Sequence, residues 1–192
     1  ASGLPRALGG FAPRRTPVLR TDVLVIGGGI AGCSAALAAA DGGASVLLLT
    51  KTAFTDSNTA WAQGGLAAPM GADDSVAAHL RDTLMVGQGL TDSVVARRFV
   101  EAGSAAVTWL ESLGAQFDRK ECGELSRSRE GGHSVRRVVH RRDATGAEIA
   151  RVLAEAVLTH PEITCRSPAF VRDLLVDDGV CNGAIAIVDG TE

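Results

Sequence analysis

VLVIGGGIAG, residues 23–32, runs four apolar residues directly into a turn with glycine at 27, 28, 29 and 32. The apolar run, Asp22 to Ile26, has the form of a strand buried on both faces. Gly27, Gly29 and Gly32 then give G-x-G-x-x-G in the place where that spacing has a mechanism. The first glycine allows the tight turn, the second lets backbone approach a pyrophosphate, and the third lets a following helix pack on the strand. Gly28, Ile30 and Ala31 complete the turn and the helix N-terminus, whose N–H donors and positive potential suit phosphate.

The flanks agree with this reading. Cys33 to Ala40 is a small-residue helix, Asp41-Gly42-Gly43 stops it, and Ser45 to Leu49 is a second buried strand. Together they make a strand–helix–strand crossover of about thirty residues, the size of a βαβ unit. The expected class is therefore α/β, a Rossmann-like domain with a parallel sheet. Val23 to Ala40 carries no charge and is long enough to span a bilayer, but it is mostly Gly and Ala and glycines interrupt it. Strand, turn and helix describe it better than a membrane span.

One part of the usual dinucleotide fingerprint is missing. An Asp or Glu normally follows about twenty residues on, where it holds the ribose hydroxyls. Here the second strand ends in Thr50-Lys51. That weighs against a plain NAD dehydrogenase. Thr50 can still hydrogen-bond a ribose, and Lys51 can meet phosphate or flavin, or be a solvated strand end.

The composition excludes several classes. The chain has 192 residues, 46% hydrophobic and 21% charged, with net charge −3. This is a globular composition with room for a sizeable core, and no general polyanion binder. Cys33, Cys122, Cys165 and Cys181 lie far apart with no CxxC pair, which argues against zinc or another metal site and fits a reduced, cytoplasmic protein, leaving one disulfide open. Residues 1–20 mix Pro, Gly and Arg without a secretory pattern and read as a disordered lead-in, with residues 21–192 as the folded part.

Downstream, helices are expected after caps at Asp73, Asp74 or Ser75 and at Asp92 or Ser93. The first carries Val76, His79, Leu80 and Leu84 inward. The second carries Val95, Phe99, Val100, Val107, Trp109, Leu110 and Leu113, ending at Gly114. Residues 115–142 read as a polar, Arg-rich excursion. Thr145-Gly-Ala-Glu148 reads as a capping box for a helix that stops before Pro161. Phe170 to Val188 alternates around Asp177-Asp-Gly179, a β-hairpin signal.

A second motif follows the crossover. SNTAWAQGG, Ser57 to Gly65, has two hydroxyls, two amides, a Trp and a glycine pair without any charge. VLVIGGGIAG, SNTAWAQGGLAA, DSVAAHLRDTLMVGQGLTD and SREGGHSVRRVVHRRDATG, taken in order, resemble the L-aspartate oxidase family of flavoproteins, within the succinate dehydrogenase and fumarate reductase superfamily. The resemblance runs from Thr21 to about Asp189.

This resemblance implies FAD as cofactor, with Ser57, Asn58, Thr59, Ala60, Trp61, Ala62, Gln63, Gly64 and Gly65 as the loop along the flavin. Neutral donors and close-approaching glycines suit an isoalloxazine edge. Covalent relatives place His where this chain has Asn58, so non-covalent FAD is implied. The reaction implied is oxidation of L-aspartate to iminoaspartate, opening de novo NAD biosynthesis. Oxygen or fumarate would reoxidise the flavin, and quinolinate synthase would take the imine onward in a transient contact.

Selecting aspartate over succinate needs an acceptor for one α-amino group. In SREGGHS the candidate is Glu130, where the succinate and fumarate relatives carry an apolar aromatic; pairing with Arg129 is the plain alternative. His133 and Ser134 are candidates for a substrate carboxylate or the flavin edge, and His140 for either that or a structural role. His79 and Trp109 read as structural. Arg136, Arg137, Arg141 and Arg142, without interleaved aromatics, suggest ion pairs or anionic ligands rather than nucleic acid.

Family members are considerably longer. The second half of the FAD domain, a capping domain, a helical C-terminal domain, the proton-transferring Arg and most carboxylate ligands are expected beyond Glu192, so the chain reads as a truncated N-terminal part. Three rivals stand beside this reading: a soluble fumarate reductase or succinate oxidase, an NAD-dependent dehydrogenase, and a fragment that binds FAD without catalysis.

Overall fold

A computed structural model describes residues 17–54 and 56–188. They form two compact units, one from the residues up to Ser57 together with those from Leu153 onward, the other Asn58–Val152. The expected lead-in falls mostly outside the described residues; only 17–20 are described, and they are exposed coil.

The first unit is built on the crossover. Strand β1 (Val23–Ile26) leads into helix α1 (Ile30–Asp41) and then strand β2 (Val46–Leu49), which lies parallel to β1 from Val23↔Val46 to Ile26↔Leu49. Val46, Leu48 and Leu49 are buried, as are Cys33, Ala36, Leu37 and Ala40 of α1. Small residues on α1 let its axis come close to the sheet. Gly43, at φ +87°, makes the left-handed turn that releases the chain after α1. Strand β1 departs from the expected burial on both faces: only Val25 is buried, Val23 and Leu24 are half-buried, and Ile26 is 49% exposed.

The sequence pattern did not suggest a third parallel strand, here labelled as the sixth in chain order. Ile163–Arg166 pairs with β2 from Val46↔Ile163 to Leu49↔Arg166, so β2 is central. Only four residues long and half polar, it lacks the apolar run that marks β1 and β2. The hairpin near the end of the chain is as expected. Ala169–Asp177 pairs antiparallel with Val180–Val188. Asp178 and Gly179 hold φ of +47° and +80°, the signature of a turn that matches strand twist.

The second unit contains helix α2 (Val76–Val86) and helix α3 (Ser93–Ser112). The Ser75 hydroxyl accepts from the Ala78 N–H, and the Asp92 carboxylate accepts from the Val94 and Val95 N–H groups, so both caps sit within the expected choices. The buried face of α3 is Ala96, Val100, Val107 and Leu110. Phe99 is 75% exposed and Val95 48%, correcting the expected inward set, and Trp109 is only half-buried. The 96–100–107 spacing wins because it keeps one stripe continuous with Leu110.

Residues 115–142 are more ordered than an excursion. Strands β3 (Leu66–Ala67), β4 (Arg127–Ser128) and β5 (Val138–Val139) form an antiparallel sheet with β5 in the centre. Val138 and Val139 are both buried. Two-residue strands are too short for an alternation signal, and pairing across 66–139 is invisible locally. Helix α4 (Thr145–Thr159) contains the division between the two units. With the third parallel strand named β6 (Ile163–Arg166), the hairpin strands are β7 (Ala169–Asp177) and β8 (Val180–Val188).

Candidate functional site

In the first unit, the glycine turn has the shape its spacing requires. Gly27 holds φ +107°, which only glycine adopts without strain. A Cβ on Gly32 would collide with the Gly27 carbonyl oxygen, and one on Gly28 would come within 2.9 Å of the Phe54 ring. Glycine at 32 is thus what lets α1 start directly above β1. No side chain caps α1 at Gly29, and its first turn holds no acid. A helix N-terminus without a side-chain cap or an acid in its first turn is a setting that favours an anion.

The end of β2 is less open. Thr50 is buried, and its hydroxyl donates to the Thr52 carbonyl at 3.0 Å. Its backbone N–H donates to the Arg166 carbonyl at 3.1 Å, and its carbonyl accepts from the Ala169 N–H at 2.8 Å. Lys51 is exposed.

In the second unit, the uncharged loop presents its end to solvent. Asn58, Trp61, Ala62, Gln63, Gly64 and Gly65 are exposed, with Thr59 and Ala60 half-buried; Ser57, assigned to the first unit, is also half-buried. The loop rests on the start of α4. The Gly146 N–H donates to the Ala62 carbonyl at 2.8 Å, and a Cβ on Gly146 would collide with the Thr59 carbonyl. Thr145, 2% exposed, donates its hydroxyl to the Gly64 carbonyl at 2.9 Å and accepts from the Arg141 N–H at 3.0 Å. A Cβ on Gly65 would collide with Val138 and the Val139 carbonyl.

This corrects the capping-box reading. Thr145 turns its hydroxyl to the loop, while Glu148 accepts from the Gln116 N–H at 2.8 Å and pairs with Arg151. Both side chains are taken up by partners far away in the chain, Thr145 by the Gly64 carbonyl and Glu148 by the Gln116 N–H. Thr145 and Gly146 are therefore site residues the pattern missed. The available signal was a glycine at the second position of a helix, which costs about 1 kcal/mol against Ala unless close contact requires it.

Gln63 and Gly64 line a cavity of about 450 Å³ with Ser128, Glu130, His140, Arg142 and Asp143. A Cβ on Gly64 would lie 3.4 Å from a Glu130 carboxylate oxygen. Among the described residues Glu130 has no ion pair; the expected alternative of an Arg129 pair is not present. The sequence-predicted loop and the sequence-predicted carboxylate thus share one cavity.

His133 is not on that cavity's lining. Its ring lies edge-on to His79, centroids 5.9 Å apart, and the Nδ1 atoms of both are buried without a hydrogen-bond partner. Burial first, then the Arg137 charge, pushes the His79 imidazole toward its neutral form.

Buried Arg137 anchors the segment that carries Glu130. Nε and Nη2 donate to the two Asp74 carboxylate oxygens at 2.9 Å each, and Nη1 donates to Asp82 at 2.6 Å. The Ser134 N–H and hydroxyl both donate to Asp82, at 2.7 and 2.8 Å. The Ser134 amide chiefly, against burial, and then its hydroxyl and Arg137, hold the Asp82 carboxyl down at about 2. Burial opposes charge on Arg137, and the bonds to Asp74 and Asp82 overcome it. Among the four arginines of 136–142, nothing in the sequence singled this one out.

No group of three or more metal-ligating side chains occurs among the described residues, and no helix among them is long and apolar enough to cross a membrane. All four cysteines are free thiols. Each unit by itself presents a donor type that a flavin dinucleotide uses: the first a glycine turn at a helix N-terminus, the second a neutral amide-and-glycine loop.

The model of the FAD binding domain family matches residues 22–192. The chain is 44% identical over 167 residues to the L-aspartate oxidase of Streptomyces coelicolor, covering 86% of this chain and 29% of that protein. It is 44% identical over 166 residues to the chloroplastic L-aspartate oxidase of Arabidopsis thaliana, covering 84% and 25%. The E. coli quinol fumarate reductase superposes with TM-score 0.84 at 34% identity, covering 87% of this chain and 29% of that one. The Mycobacterium smegmatis Sdh1 complex in the apo form gives 0.84 at 32% identity, covering 88% and 31%. The chain spans less than a third of the length of each of these relatives.

Proposed function

Because the chain belongs to the FAD binding domain family, we propose that it serves the oxidation of L-aspartate to iminoaspartate, with FAD held non-covalently. Bound FAD supplies the two-electron acceptance that oxidation of an amine requires. Gly27 to Gly32 would cradle the pyrophosphate, exposed Lys51 would meet the neighbouring phosphate, buried Thr50 would hold the strand end in place through its bond to Thr52, and Ser57 to Gly65 would line the flavin ring. Glu130 would accept hydrogen bonds from the substrate's α-amino group. An acceptor left unpaired by succinate would cost about 1–3 kcal/mol, which gives the site its choice between the two acids.

The observation that supports this most is that the Glu130 carboxylate, without an ion pair among the described residues, shares the 450 Å³ cavity with Gln63 and Gly64. A carboxylate with no cation of its own beside that loop can accept from a substrate ammonium. Oxygen or fumarate would reoxidise the cofactor. The imine product, being unstable in water, calls for a consuming enzyme close by, and quinolinate synthase in NAD biosynthesis is the partner this reading implies.

The test is an anaerobic titration of the FAD-loaded chain with L-aspartate, and separately with succinate, followed at the visible flavin band. Bleaching by L-aspartate alone, weakened about tenfold or more by Glu130→Gln, is the expected result. Equal bleaching by succinate would favour a fumarate reductase or succinate oxidase. A yellow protein that neither acid reduces would leave an FAD-binding unit without turnover of its own.

A further inference from the structure

The cavity holds a second group able to act on a substrate amine. His140 lines it beside Glu130, Arg142 and Asp143. The His140 Nδ1 lies 3.2 Å from Asp118 Oδ2, and the Asp118 N–H donates to the His140 carbonyl at 2.8 Å, so ring and backbone are both tied to one residue. Asp118 is itself fixed: it accepts from the Arg142 N–H at 2.6 Å and from Arg141 Nη1 at 3.3 Å. The Arg142 amide chiefly, against burial, and then His140 and Arg141, hold its carboxyl below the ordinary value.

An anionic Asp118 that accepts from Nδ1 fixes one tautomer, with the proton on Nδ1 and a bare lone pair on Nε2. That Nε2 has no hydrogen-bond partner among the described residues and is not among their buried unpartnered atoms, so it is open to solvent. Asp118 is the charged group bonded to the ring, Arg141 pairs with Asp118, and Glu130, Arg142 and Asp143 share the cavity lining with His140.

We propose that His140 takes the α-ammonium proton of the amino-acid substrate, with Asp118 as its positioning residue. The proposal rests on the aspartate reading above and adds to it the group that makes the amine reactive. The N–H bond of the ammonium breaks, its electron pair stays on the amine nitrogen, and the proton joins His140 Nε2. The imidazolium that results is stabilised by Asp118, and no electrons leave the substrate in this step. Glu130 and His140 then divide the work, one orienting the nitrogen and the other unloading it.

The test is long-range proton–nitrogen NMR on the FAD-loaded, ¹⁵N-histidine-labelled chain, with the His140 signals assigned by His140→Gln. The wild-type ring should show the Nδ1–H tautomer at mildly alkaline pH. L-Aspartate should move its Nε2 signal toward the protonated position, and succinate should leave it unmoved. In Asp118→Asn the tautomer preference should be lost along with that response, while L-aspartate still shifts the backbone amides of Gln63 and Gly64. A merely structural His140 would keep its tautomer and ignore L-aspartate. If the Gln63 and Gly64 amides respond to L-aspartate but the wild-type His140 Nε2 does not, the role assigned to His140 is wrong and the substrate reading survives. If no cavity signal responds to L-aspartate, both fall together.

Discussion

The Thr145 hydroxyl donates to the Gly64 carbonyl at 2.9 Å, across a separation of 81 residues. One part-buried hydrogen bond thereby fixes the end of the uncharged loop against the first turn of α4. Thr145→Val keeps the shape and removes the bond. It should cost about 1–3 kcal/mol, because the Gly64 carbonyl and the Arg141 N–H both lose their partner. Thermal unfolding of the variant, with Thr145→Ser as the control that restores the hydroxyl, measures it.

Gly146 tests the same contact sterically. A side chain there meets the Thr59 and Ala62 carbonyls, so Gly146→Ala should displace the loop although Ala is the better helix former. The expected result is a chain that still folds and retains much less FAD, read from the flavin-to-protein ratio after gel filtration. Full retention of flavin would show that the loop does not contribute to cofactor binding.

Arg137→Met should be among the most destabilising single changes in the second unit. It leaves Asp74 and Asp82 buried without their cation, a defect worth about 3–5 kcal/mol. Arg137→Lys keeps charge but loses the paired donors to Asp74, and should recover only part of the loss. Denaturant midpoints of the two variants against wild type decide this.

Acid should act through Asp82. Its carboxyl is at about 2 in the folded chain against an ordinary 3.8, so the folded state binds that proton less readily than the unfolded chain. Its stabilising contribution is complete above the unfolded value and is lost as pH falls from about 4 toward 2. Urea midpoints measured across that window should fall steeply in wild type and less steeply in Asp82→Asn, which begins lower. Parallel slopes would refute the assignment.

The resemblance implies that Asn58 takes the place of the histidine that carries FAD in covalent relatives, and an amide is no nucleophile at neutral pH. Acid precipitation of the FAD-loaded chain should therefore leave all flavin in the supernatant. Flavin retained on the pellet would overturn non-covalent attachment.

The legible parts of this protein were those carried by neighbours in the chain. Gly27, Gly29 and Gly32 announced a crossover because a strand, a tight turn and a helix start are all local events. Ser75 and Asp92 announced their helices for the same reason, and Asp178-Gly179 its hairpin. The resemblance of SNTAWAQGG and SREGGHS supplied the cofactor and the candidate carboxylate, which no periodicity could have done.

What stayed hidden depended on partners far away. Arg137 looked like its three neighbouring arginines until Asp74 and Asp82 enclosed it. Thr145 and Glu148 looked like a capping box, yet both side chains chose distant partners. Asp118 gave no sign of holding His140. Local sequence determined the glycine turn, the helix caps and the hairpin, since their energies are settled within a few residues. Tertiary structure alone decided which charges were buried, which hydroxyl met which carbonyl and which carboxylate faced the cavity, because a polar group removed from water takes whatever partner the fold brings within reach.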